Sequence, residues 1–296
     1  MDSKKIYSRE MLRILFYNSI LAGIGYLIFQ ILSVFLLNFK IILSSDYYQF
    51  FIFFLFLLFL VLDKKASKRP LSDYGIKKPK LEHLKLAVMF FSLLFITTVP
   101  SRLFFPEFDS WYAPLSGLTS LGGLTALLLI TPVFTSSEEI SQRGLIQSKL
   151  SNIFGSRISL LIVGINFAVL HLSWFWMGGG ALNTSLIFLT LLPYSFLAAL
   201  LFEHSKNIFT TLFFHILTIS TSAIQTYWHV TNNLNYEYIF WIIWGLSFIF
   251  LFSKSIKYLM STIKRLKGQK ITSDLYIPFI ILSIFPILVF LILYQF

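Results

Sequence analysis

The sequence predicts an all-α polytopic membrane protein, a bundle of about eight to nine transmembrane helices. Three observations predict it. Hydrophobic residues make up 56% of the 296 residues and charged residues only 12%, with a mean hydropathy of +0.77, a balance that no soluble globular class shows. The apolar residues gather in long runs near the ~20 residues that a spanning helix needs. Finally, the cations lie between the runs and almost all on one side once the runs are threaded alternately through a bilayer.

Nine apolar segments are drawn, near residues 12–39, 46–62, 84–105, 115–137, 157–176, 183–202, 207–228, 236–253 and 274–295. The first follows a basic start like that of a signal peptide, but no small-residue cleavage site ends the run from Leu12 to Phe39, so it is kept as a span. With the N-terminus in the cytoplasm, every Lys and Arg of the 24 except Lys40 and Arg102 falls on the cytoplasmic side, which predicts an N-in, C-out chain. The linker 63–85 carries eight of these cations and is expected on the cytoplasmic surface, near anionic lipid. Trp111, Tyr112, Trp174, Trp176 and Trp228 fall near predicted external ends, as aromatic belts do. The chain therefore divides into N-terminal helices 1–114, core helices 115–228 and C-terminal helices 229–296.

Composition also excludes functions. The chain has no cysteine, so disulfides, thiolate metal sites and a cysteine nucleophile are absent together. The net charge of +11 lies in loops that orient the chain, and no nucleic-acid partner is expected. Heavy use of Phe, Ile, Leu, Lys, Asn and Ser suggests a bacterial source with an AT-rich genome.

Chemistry is expected in the stretch 135–150, which sets Glu138, Glu139 and Arg143 beside or within a very apolar helix. On a helix Glu139 and Arg143 share a face and can pair, while Glu138 points about 100° away with its carboxylate free. Ser136 and Glu139 also have the spacing of a capping box, the signature of an ordinary helix start. Two histidines, His171 and His215, lie inside apolar spans, where a polar side chain is costly without a purpose. If the chain turns near Ser151 to Ser156, Glu138 and His171 both lie about 20 Å from the turn on antiparallel helices. His215, counted from Asn207, comes out only about 12 Å deep, so its helix must start deeper for the three to meet.

A carboxylate and two imidazoles at one depth suit water activation. A glutamate can take the water's proton, one histidine can orient the water, and the other can donate to the oxyanion. The same trio is a set that zinc accepts, but no His-Glu-x-x-His helix accompanies it, so neither metal nor cofactor is expected. Glu138 and Glu203 could also serve a transporter as ion sites, yet the paired broken helices of that class are not visible.

In order along the chain, Glu138-Glu139-x-x-x-Arg143, Phe167-x-x-x-His171 and the distal His215 resemble the motifs of the CPBP family. That family includes the type II CAAX prenyl endopeptidases and bacterial bacteriocin-processing or immunity proteins. The stretch from Phe202 and Glu203 to Ile208 is similar to the family's segment before its last histidine, and the resemblance spans roughly Leu118 to Ser220. It implies a CAAX-protease-like intramembrane bundle and a glutamic endopeptidase in which Glu138 and His171 activate water and His215 stabilises the oxyanion. The implied partners are a peptide or membrane-anchored protein substrate and the lipid bilayer, at the cell membrane. One position departs from the pattern: the family's Asn, four residues after the last histidine, is Ile219 here. Isoleucine cannot donate a hydrogen bond, so Thr218 is the nearest substitute donor, and a non-catalytic immunity or scaffold protein of the same fold is the alternative.

Overall fold

The computed structural model describes residues 3–20, 28, 31, 47–98 and 120–266. Every described element is helical. In chain order these are α1 (Ser3–Ser19), α2 (Tyr47–Ser67), a 3-10 turn (Leu71–Tyr74), α3 (Leu81–Leu93) and α4 (Leu121–Glu139). A π-helical segment (Ile140–Gln147) continues α4 into α5 (Ser148–Phe154), and α6 (Ser156–Ser205), α7 (Ile208–Val230) and α8 (Leu234–Leu266) follow.

The helical class is as expected, but the span count is not. Among the described residues four helices are long and apolar enough to cross a membrane: Leu81–Thr98, Leu121–Phe154, Ile208–Val230 and Leu234–Lys264. Ser156–His171 is apolar but shorter. The last expected span, 274–295, lies outside the described residues, as do most of the first and the external loop with Arg102, Trp111 and Tyr112. The fourth expected span, 115–137, is too short at its C-terminal end: the helix runs on through the carboxylates to Phe154. Nor is Ser136 a cap. It sits inside α4 and donates to the Pro132 carbonyl, while Ser120 caps the helix by accepting from the Gly123 amide.

The expected spans 157–176 and 183–202 fall in one assigned element, α6. In a straight helix Gly164 and Ser195 would stand about 46 Å apart, yet the Ser195 hydroxyl donates to the Gly164 carbonyl and the Phe167 and Tyr194 rings are 5.7 Å apart. The arms 156–171 and 191–205 are therefore antiparallel neighbours. Gly164 permits this: a Cβ there would meet the Phe196 ring at 2.7 Å. Lipid gives helices no hydrophobic reason to associate, so close approach at small residues and polar links must hold the bundle. Asn18 and Asn166 supply one such link, exchanging hydrogen bonds of 2.8 and 2.9 Å between α1 and α6.

The helix from α4 through α5 is the axis. α2 and α7 pack along α4, while α1, α2, α6 and the 3-10 turn surround the π segment. One apolar core gathers α1, α2 and the π segment around Phe56, Leu145 and Ile146. A second gathers α3, α6, α7 and α8 around Phe90, Phe167 and Phe214. The carboxylates lie where the two cores meet.

Two expectations about the basic segments change. The linker 63–85 keeps Lys64, Lys65, Lys68, Lys77, Lys78, Lys80 and Lys85 exposed, but its Tyr74 and Gly75 are buried in the bundle. Gly75 takes φ +79, and a Cβ there would meet Phe202 at 2.7 Å, so this turn needs glycine twice over. Lys149, expected as a loop cation, is instead buried, because α5 carries it into the bundle. It pairs with Glu10 at 2.5 Å and Asp63 at 2.9 Å. Asp63, the residue after the apolar run of α2, also accepts from Tyr74 at 2.7 Å and Tyr17 at 2.9 Å. Burial alone would raise its pKa, but the hydrogen bonds from Lys149 and Tyr74 and the Lys149 charge hold it below the usual carboxylate value.

Candidate active site

Three helices bring the site together, and each is set by a local device. Pro132 breaks the hydrogen-bond ladder of α4, where Thr135 and Ser136 bond back to the preceding turn, and the chain then widens into the π segment. Glu138 and Glu139 are the last residues before that change. Gly155, with φ +81, reverses the chain into α6 and returns His171 to their height. Asn207 starts α7 by accepting from the Thr210 amide, and it is itself buried, its side chain donating to the Lys77 carbonyl at 2.7 Å. The Ile208 amide donates to the Gly75 carbonyl at 3.0 Å. The linker thus covers the start of α7, which begins well inside the bundle, and this removes the shortfall in depth expected for His215.

The three expected reacting groups converge. Glu138 Oε2 lies 3.8 Å from His171 Nε2 and 3.7 Å from His215 Nε2. The neighbouring acid faces the other way: Glu139 Oε1 lies 3.0 Å from His215 Nδ1, and its Oε2 lies 3.4 Å from Arg143 Nε. Exposure separates their roles, since the Glu138 side chain is 29% exposed and that of Glu139 only 1%. Glu139 and Arg143 form a buried structural pair, with the guanidinium also 5.3 Å over the Phe167 ring. The remaining carboxylate, Glu138, can meet a substrate.

The second nitrogens of the histidines determine what the first ones offer. A carbonyl oxygen only accepts, so His171 Nδ1, at 2.8 Å from the Phe167 carbonyl, must carry a hydrogen. The carboxylate of Glu139 likewise accepts from His215 Nδ1. Each imidazole in its neutral form therefore turns an Nε2 lone pair toward Glu138. Glu138 Oε2, 3.7–3.8 Å from each Nε2, and the two ring nitrogens are all acceptors, a set that suits a species with two hydrogens to donate, as water has. Among the described residues no group of three His, Asp or Glu side chains is set to hold a metal ion.

Phe167 is placed as a packing residue, its ring 4.4 Å from that of His171 and 6.0 Å from that of His215. Glu203 is not at the site. It accepts from Gln147 at 3.1 Å and from Ser151, and pairs with Lys206 at 2.5 Å, so it ties the π segment and α5 to the end of α6. Thr218 is one turn beyond His215, but its hydroxyl donates to the Phe214 carbonyl at 2.9 Å and is thereby engaged. Ile219, beside it, brings no polar atom.

Tyr194 was not singled out in the sequence, where it reads as one more aromatic in an apolar run. It is only 4% exposed, and its ring lies 5.1 Å from that of His215. The signal that could have found it is the Pro193-Tyr194-Ser195 triplet, two polar side chains after a proline inside a span.

Residues 118–221 match the family described as type II CAAX prenyl endopeptidase Rce1-like. This is a membrane protease family, the one the motifs resemble, and the match begins just before α4 and ends just after Ile219. No curated protein and no solved structure matches the chain.

Proposed function

We propose that this protein is an intramembrane glutamic endopeptidase that hydrolyses peptide bonds of membrane-associated or secreted peptides. The observation that carries the reading is the position of Glu138 Oε2 between the Nε2 atoms of His171 and His215. A water held there donates one hydrogen to Glu138 and the other to His171. Glu138 takes the proton as the water oxygen attacks the scissile carbonyl carbon, and the carbonyl oxygen becomes an oxyanion. Collapse of the tetrahedral adduct expels the amine, which receives the proton from Glu138. General-base assistance of this kind contributes roughly 10²–10⁴-fold in rate, and it needs neither metal nor cofactor.

Glu139, Arg143 and Phe167 hold the histidines. The enzyme lies in a bacterial cell membrane with its N-terminus in the cytoplasm and its site open to that side. Its substrates, bacteriocin-like peptides among them, arrive through the bilayer. A second reading has one specific support: Ile219 stands where the resembled family carries an amide donor, as suits an immunity or scaffold protein that has kept the fold without the activity.

The test is a profile of new peptide N-termini in cells expressing wild type or Glu138→Gln. Termini present only with wild type support the peptidase and name its substrate. Identical profiles contradict it and leave the scaffold reading.

A further inference from the structure

Tyr194 carries a hydroxyl that has no hydrogen-bond partner among the described residues although the residue is 96% buried, its exposure being 4%. A buried phenol ordinarily finds one. Its ring is held firmly. It stacks on Phe214 at 5.2 Å and 6°, and lies 5.7 Å from Phe167 and 5.1 Å from His215. Its backbone is held too, because the next residue, Ser195, is bonded to the Gly164 carbonyl on the opposite arm of α6. A donor on a ring packed against His215 is thus left without an acceptor among the described residues.

The positions beside His215 supply no such donor. Ile219 has none, and Thr218 donates to the Phe214 carbonyl. His215 in its neutral form gives its hydrogen to Glu139 and shows a lone pair on Nε2. We propose that the Tyr194 hydroxyl donates the hydrogen bond that stabilises the substrate's oxyanion, replacing the amide that position 219 lacks. Tyr194 is then a catalytic residue, and the inference rests on the peptidase reading. Because the phenol is already desolvated and oriented, it strengthens its bond as charge develops on the carbonyl oxygen, which is what transition-state stabilisation requires.

The experiment measures purified wild type, Tyr194→Phe and Glu138→Gln in detergent. The probe is the peptide whose cleavage distinguishes wild type from Glu138→Gln in cells, together with its phosphinate analogue at the scissile bond. Tyr194→Phe keeps the ring, and its thermal midpoint should stay near that of wild type. Its kcat should fall about 10²–10³-fold, as loss of one oxyanion donor does, with KM nearly unchanged and phosphinate affinity reduced by a similar factor. If Glu138→Gln is inactive but Tyr194→Phe turns over at the wild-type rate, the role of Tyr194 is disproved while the peptidase reading stands. A loss confined to KM, or a kcat loss with phosphinate affinity intact, also disproves it, since the phenol would then not meet the oxyanion. If no peptide distinguishes wild type from Glu138→Gln, the peptidase reading fails and this inference fails with it.

Discussion

His215 Nδ1 lies 3.0 Å from Glu139 Oε1, while the other nitrogen of the same ring faces Glu138. One imidazole therefore joins two consecutive carboxylates: the acid at position 139 accepts from its Nδ1, and the acid at 138, facing its Nε2, is the base of the proposed reaction.

Glu139→Gln should cost both stability and activity. It removes the partner of Arg143, whose side chain is fully buried, and weakens the acceptor that orients His215. Breaking a buried pair by removing one partner commonly costs about 3–5 kcal/mol. Thermal denaturation of the purified variant should show a clear drop in midpoint. An unchanged midpoint would mean that the pair contributes little.

Thr218→Val should leave turnover within a fewfold of wild type, because its hydroxyl serves its own helix. Ile219→Asn should raise turnover or leave it unchanged, since it adds a donor one turn from His215. A hundredfold loss in Thr218→Val, measured with the peptide substrate, would return Thr218 to the oxyanion.

The cluster of Asp63, Lys149 and Glu10 should make stability pH-dependent. The folded-state pKa of Asp63 is lowered, so its contribution is complete above the unfolded value of about 3.9 and is lost as pH falls below it. Wild type should lose stability steeply from about pH 4 downward. Asp63→Asn should be less stable near neutral pH, because it leaves buried Lys149 with Glu10 as its one carboxylate partner among the described residues, and should show a shallower acid decline. Parallel acid profiles for the two would contradict the assignment.

Asn152 is exposed on α5, next to the turn that joins the helices of Glu138 and His171. In this cysteine-free chain, Asn152→Cys should react with an impermeant thiol reagent only after the cytoplasmic face is opened to it. Labelling from outside intact cells would reverse the topology.

The site was largely legible because its residues are conspicuous against an apolar background. Glu138, Glu139 and Arg143 at helical spacing, with His171 and His215 inside spans, are costly enough to stand out. Tyr194 was hidden for the opposite reason, since an aromatic ring belongs in such a span and only its orphaned hydroxyl marks it. Lys149 was read as a loop cation because charge counting ignores pairing, here with Asp63 and Glu10. The buried Tyr74 and Gly75 were missed likewise, as a linker rich in lysine gives no sign that two of its residues fold inward. The two arms of α6 were legible as two spans, but their contact was not, because Gly164 and Ser195 meet only in three dimensions.

The central claim is that Glu138 is the base. Its most direct test is the turnover of the identified peptide by purified wild type and Glu138→Gln, with thermal midpoints measured on the same samples. The account predicts equal midpoints and a variant with no turnover above background, because the amide keeps the shape of the side chain but cannot take the water's proton. A Glu138→Gln variant that cleaves at the wild-type rate would contradict it.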